Sequence, residues 1–88
     1  MYLIVDFSEL NLQYETTDIR LDESNADYTV GKLITELCKG IERFGNEEIK
    51  QKANLRLQYS NGSIIDSTCI VSDLHLNDWD TVYLVNRR

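Results

Sequence analysis

Thr29-Val30-Gly31-Lys32-Leu33-Ile34-Thr35-Glu36-Leu37-Cys38-Lys39-Gly40-Ile41 is the stretch from which the rest of the chain can be placed. Counted from Val30, the apolar residues Leu33, Ile34, Leu37, Cys38 and Ile41 fall at offsets of 3, 4, 7, 8 and 11. At 3.6 residues per turn these offsets form one stripe, while Lys32, Thr35, Glu36, Lys39 and Glu42 point away from it. The Thr29 hydroxyl is suited to accept a free amide at the helix start. Gly40 costs some helicity. Gly45 is the predicted stop, since glycine tolerates a left-handed C-terminal conformation. Cys38 lies in the stripe and is predicted to be core.

Both flanks of this helix alternate with period two. Before it, Met1 to Phe7 sets Leu3, Val5 and Phe7 against Tyr2, Ile4 and Asp6, and Thr17, Ile19 and Leu21 alternate with Thr16, Asp18 and Arg20. These two runs predict a hairpin with a long turn through Ser8 to Leu12. After it, Leu55, Leu57 and Tyr59 alternate with Arg56, Gln58 and Ser60. Asn61-Gly62 then accepts the positive φ angles of a tight turn, and Ile64-Ile65 returns. Ile70 to Leu76 reads as a tucked-in turn of helix, Asn77 to Asp80 as a polar turn, and Thr81 to Asn86 as the last strand. Asn46 to Ala53, charged and anchored only by Ile49, is compatible with a loop, a continuation of the helix or a short second helix. The expected architecture is α+β, a mixed sheet of four to five strands with one main helix across one face, because one helical stripe needs one sheet face to cover it.

Composition narrows the function. The chain has 88 residues, 9 Lys plus Arg against 15 Asp plus Glu, a formal charge of −6, no proline and two cysteines. A single domain over residues 1–88 is expected, too small for a large enzyme with a separate cofactor domain. The acidic balance opposes nucleic acid and anionic membranes, whose phosphates select clustered cations. No apolar run of ~18 residues is present for membrane insertion, and the first residues lack the basic and small-residue pattern of an export signal. The expected location is therefore the cytoplasm, with Cys38 and Cys69 as reduced thiols.

The C-terminal third, Val71-Ser72-Asp73-Leu74, then Leu76 and Thr81-Val82-Tyr83-Leu84-Val85-Asn86-Arg87, resembles the Leu-Ser-Asp-Tyr and Thr-Leu-His-Leu-Val-Leu-Arg segments of ubiquitin. Taken with the strand and helix order, this resembles the ubiquitin-like β-grasp. Val5-Asp6-Phe7-Ser8-Glu9-Leu10-Asn11, Asp18-Ile19-Arg20-Leu21 and Val30-Gly31-Lys32-Leu33-Ile34 resemble the EsaB/YukD family. Its members are small ubiquitin-like accessory proteins of type VII (ESX-like) secretion in Gram-positive bacteria. Glu42 to Ala53 looks longer than the corresponding connection in that family. The resemblance implies a cytoplasmic, non-enzymatic accessory or regulatory protein, with partners in the secretion machinery such as its membrane-anchored ATPase. Ubiquitin-type modifiers and sulfur carriers act through a C-terminal Gly-Gly. Val85-Asn86-Arg87-Arg88 stands here, so a non-conjugated protein is expected. A modifier or sulfur carrier with a processed or extended end is the alternative.

No motif carries chemistry. His75 stands alone between Leu74 and Leu76 and reads as a surface side chain. Cys69 has Asp66 and Asp73 nearby rather than the cations that activate a thiol. Asp73, Asp78 and Asp80 lack a calcium-loop spacing, and Gly31-Lys32 lacks the rest of a phosphate loop. No cofactor or metal is expected. The more informative residues are on the sheet face away from the helix. With Leu3, Val5, Phe7, Leu55, Leu57, Val82 and Leu84 inward, Tyr2, Ile4, Arg56, Gln58, Tyr83 and Val85 point outward. These six are the candidate protein-binding residues. Scattered surface apolar groups, cover by Glu42 to Ala53, or a homodimer through this face would each also account for them. Where ubiquitin exposes an aliphatic residue on its middle strand, Arg56 and Gln58 stand here, so a different partner is expected.

Overall fold

A computed structural model describes residues 1–87. The hairpin is β1 (Tyr2–Asp6) and β2 (Thr16–Arg20), joined through a 3-10 turn at Ser8–Leu10. Helix α1 (Val30–Gly45) follows, then β3 (Leu55–Gln58), β4 (Ile64–Ile65), a 3-10 turn at Val71–Asp73, and β5 (Asp80–Asn86). The five strands form one mixed sheet in the order β2-β1-β5-β3-β4. β5 runs parallel to β1 at the centre, and all other pairs are antiparallel. This is the predicted α+β arrangement, with all five strands in one sheet and one helix across it.

Successive side chains along each strand point to opposite faces of the sheet, so the period-two runs set one half of each strand toward α1. Leu3, Val5, Leu57, Val82 and Leu84 are buried toward α1, joined by Val30, Leu33, Ile34, Leu37, Cys38 and Ile41 from the helical stripe. At roughly 25 cal/mol per Å² of apolar surface removed from water, this core is the main favourable term in folding. The helix begins as its sequence predicts, with Thr29 Oγ1 accepting the Lys32 N–H at 3.1 Å. Its end differs by one residue. Gly45 is still helical, and Asn46 takes the left-handed conformation at φ 52°. Asparagine tolerates that region because its short side chain bonds locally, so glycine was not required there.

Asn46 to Ala53 proves to be an irregular connection ending in a 3-10 turn at Lys52–Asn54. It has no helical ladder of its own. Ile49 is buried and anchors it, and Glu42 ties it to α1. One Glu42 carboxylate oxygen accepts the Ile49 N–H at 2.8 Å, and the other pairs with Lys52 Nζ at 2.9 Å. The Lys52 and Ile49 hydrogen bonds hold the Glu42 carboxyl below its ordinary 4.5. Its partner Lys52 is raised above 10.5 by the same bond.

Candidate functional site

The face of the sheet opposite α1 is built by the outward half of each strand. Register places Arg20 beside Tyr2, Asp18 beside Ile4 and Thr16 beside Asp6. On the other side of β1, Ile4 meets Thr81 and Asp6 meets Tyr83. Tyr83 then meets Gln58, Gln58 meets Ile64, and Arg56 meets Val85. All six sequence-predicted residues therefore lie on this face, at different places and with different access.

Tyr2 is exposed, and Ile4, Arg56, Gln58 and Tyr83 are half-buried. Val85 was expected to be exposed and is not. It is 4% exposed, although it lies outside the core that α1 covers. The reason is position along the strand: the 3-10 turn at Ser8–Leu10 packs beside the end of β5. Arg56 is folded along its own strand, its guanidinium donating to the Leu55 carbonyl at 2.8 Å and the Ala53 carbonyl at 3.0 Å. Tyr2 and Tyr83 stand at opposite ends of the β1 register, about four residues or ~13 Å apart, with Ile4 between them. The apolar surface is thus not one patch.

Its more accessible end includes a residue absent from the sequence-based set. Trp79 is 52% exposed, and its ring stacks on Tyr2 with centroids 5.0 Å apart and planes inclined by 10°. The turn before β5 holds this pair in place. Trp79 sits at φ 65°, the Trp79 N–H donates to the Tyr2 carbonyl at 2.6 Å, and Asp78 Oδ1 accepts the Tyr2 N–H at 2.7 Å. Asp80 Oδ2 closes the turn by accepting the Asn77 N–H at 2.8 Å. A left-handed aromatic residue is uncommon and costs energy, and such strain persists only where surrounding bonds enforce it. The signal was present in the sequence: the sole tryptophan stands in a polar turn, outside any apolar period.

Asp78 accepts the Tyr2 N–H and Asp80 the Asn77 N–H, and no group of three or more His, Cys, Asp or Glu among the described residues is arranged to hold a metal. His75 is exposed and Cys69 half-buried. Cys38 is buried, and desolvation raises its thiol above the ordinary 9.0. Both thiols are free.

Solved structures of two proteins share this architecture. One, described as molecular mimicry of SUMO that promotes DNA repair, is 22% identical with a TM-score of 0.68, covering 97% of this chain and 89% of the other. The second, a ubiquitin of Caldiarchaeum subterraneum, is 18% identical with a TM-score of 0.68, covering 100% of this chain and 94% of the other. The protein therefore has the ubiquitin-like β-grasp fold, the class that the strand order and the C-terminal segments resemble. No family model and no curated protein matches the sequence. No helix among the described residues is long and apolar enough to cross a membrane.

Proposed function

We propose that this protein is a non-enzymatic, ubiquitin-like protein-binding module that serves as a cytoplasmic accessory or regulatory component of a type VII secretion system. The observation that carries the binding role is the stacked Tyr2–Trp79 pair, held exposed by a strained turn beside Ile4 on the open face of the sheet. Exposed aromatic groups on a rigid element are the usual anchors of protein interfaces. The secretion assignment is supported by the likeness of Val5–Asn11, Asp18–Leu21 and Val30–Ile34 to the EsaB/YukD family, which favours the membrane-anchored ATPase as partner.

Affinity capture of the tagged protein from a Gram-positive extract, with intact-mass analysis of the bait, tests the reading. The expected result is an unmodified bait that brings down secretion components, and loss of capture in an Ile4→Ser, Tyr83→Ser variant that remains folded. Covalent adducts, or an activating enzyme among the captured proteins, would instead establish the modifier reading.

A further inference from the structure

The exposed aromatic pair keeps open ring faces. Tyr2 and Trp79 stack nearly parallel, with centroids 5.0 Å apart. A parallel stack covers one face of each ring, so the exposure of Tyr2 (40%) and Trp79 (52%) is concentrated on the opposite faces and the edges. The face of an aromatic ring carries negative charge density and attracts a cation placed over it, most strongly for tryptophan. Elsewhere in the molecule that attraction is met within the chain, where Lys32 Nζ lies 4.2 Å from the centroid of the Tyr28 ring. No Lys or Arg among the described residues is so placed over Tyr2 or Trp79.

The charges around the pair have the sign that a cation needs. Asp78 is exposed; its Oδ1 accepts the Tyr2 N–H at 2.7 Å, and its Oδ2 has no hydrogen-bond partner among the described residues. Asp18 is exposed beside Ile4 and has no ion-pair partner among the described residues. The neighbouring cations are engaged: Arg20, opposite Tyr2 on β2, pairs with Asp22 at 3.4 Å, and the N-terminal amine donates to the Leu21 carbonyl at 3.1 Å. A purely aliphatic partner would bury Asp78 and Asp18 without a counter-charge, which is costly. A second copy of this chain, with its formal charge of −6, would set the same carboxylates against each other, and like charges across an interface repel.

We infer that the Tyr2–Trp79 pair is a receptor for an arginine side chain in a basic segment of the partner protein, the guanidinium stacked on the open ring face beside the Asp78 carboxylate and an aliphatic neighbour resting on Ile4. Arginine fits better than lysine because its planar, weakly hydrated guanidinium can stack on a ring and donate to a carboxylate at the same time. The receptor is formed before any partner arrives. Backbone and side-chain bonds hold Trp79 at φ 65° against Tyr2, so little ring freedom is lost on binding. The inference rests on the reading of the outer face as a binding surface and adds the chemistry of what that surface takes.

The test is a titration of the full isotope-labelled chain with a capped hexapeptide of two Arg-Leu-Ser repeats, followed by NMR. The sole tryptophan gives a single indole N–H signal that reports on the site directly. The peptide should shift that signal together with the Tyr2, Ile4 and Asp18 amides. Citrulline, a neutral isostere, in place of both arginines should weaken binding about tenfold, and lysine about two- to fivefold. Asp78→Asn keeps an acceptor for the Tyr2 N–H but removes the charge, and should weaken binding about threefold. Trp79→Leu keeps apolar bulk but removes the ring face; followed through the Tyr2 and Ile4 amides, it should weaken binding about threefold or more. The inference is overturned by the absence of an indole shift up to ~5 mM peptide, by equal binding of the citrulline peptide, or by equal binding to Trp79→Leu. Concentration-dependent indole shifts without peptide would also overturn it, by assigning the pair to a second copy. Capture from an extract separates this chemistry from the surface on which it rests. Loss of the partner in Trp79→Leu, with no binding of the arginine peptide, would keep the outer face as an interface and overturn its arginine chemistry. Peptide binding as described, with undiminished capture by Trp79→Leu and by the Ile4→Ser, Tyr83→Ser variant, would support the arginine receptor and overturn the outer-face reading.

Discussion

Trp79 carries the clearest local tension in the molecule: an aromatic side chain at φ 65°, kept there by backbone and side-chain bonds to Tyr2 and Asp80. Replacing it separates the cost of the backbone from the gain of stacking. Trp79→Ala should lose the ring pair, worth about 0.5–1.5 kcal/mol, yet keep the left-handed cost of about 1–2 kcal/mol. Trp79→Gly loses the same pair but relieves the backbone, partly offset by a more flexible unfolded chain. The glycine variant should therefore be the more stable by about 0.5–1 kcal/mol, measured by urea unfolding; the opposite order would show that the turn is not strained. Both variants should weaken partner capture if the aromatic pair is the anchor. The sequence made Tyr2 legible as an outward strand residue, but its stacking partner lay 77 positions away in the chain, where no periodicity connects them.

At the scale of elements, the helix was the most legible part because its signals are local. The stripe, the Thr29 cap and the polar face are all set within a few residues, and each is found in the structure. Thr29→Ala should cost about 1 kcal/mol by removing an acceptor for the Lys32 N–H. Gly40→Ala should add about 0.5–1 kcal/mol, since nothing obstructs the new Cβ; thermal denaturation of the pair should move in opposite directions. The connection after α1 was illegible because its order comes from Glu42 and a buried Ile49 rather than from its own pattern. Glu42 has its pKa lowered on folding, so its stabilising contribution is present above the unfolded value near 4.5 and is lost as pH falls through the lower folded one. Glu42→Gln should therefore lower the melting temperature at pH 7 and have a much smaller effect at pH 3. Asp22 and Asp66, held low by Ser24 and Thr68, titrate in the same direction in both proteins and leave that comparison intact.

Across the whole molecule, stability depends on the contact between the parallel β1–β5 centre and α1. Leu84 is fully buried there, so Leu84→Ala should cost about 2–5 kcal/mol through lost transfer energy and a residual cavity. Chemical denaturation would reveal it, and a cost below 1 kcal/mol would mean that the centre of the sheet repacks freely. An outer-face change such as Ile4→Ser should cost much less, because no second layer covers that side chain. What the amino-acid sequence determined by itself was the set of elements and their inward faces: both follow from periods of 3.6 and 2 that operate between near neighbours. It also carried the segments that resemble ubiquitin, and with them the β-grasp architecture that the solved structures share. Tertiary structure alone decided which outward residues are accessible. Alternation assigns Val85 to the open face but cannot register that the turn at Ser8–Leu10 packs beside the end of β5. It likewise brought Trp79 onto Tyr2 and left β2 at the edge of the sheet, because strand order and edge position arise only when distant segments assemble into one sheet.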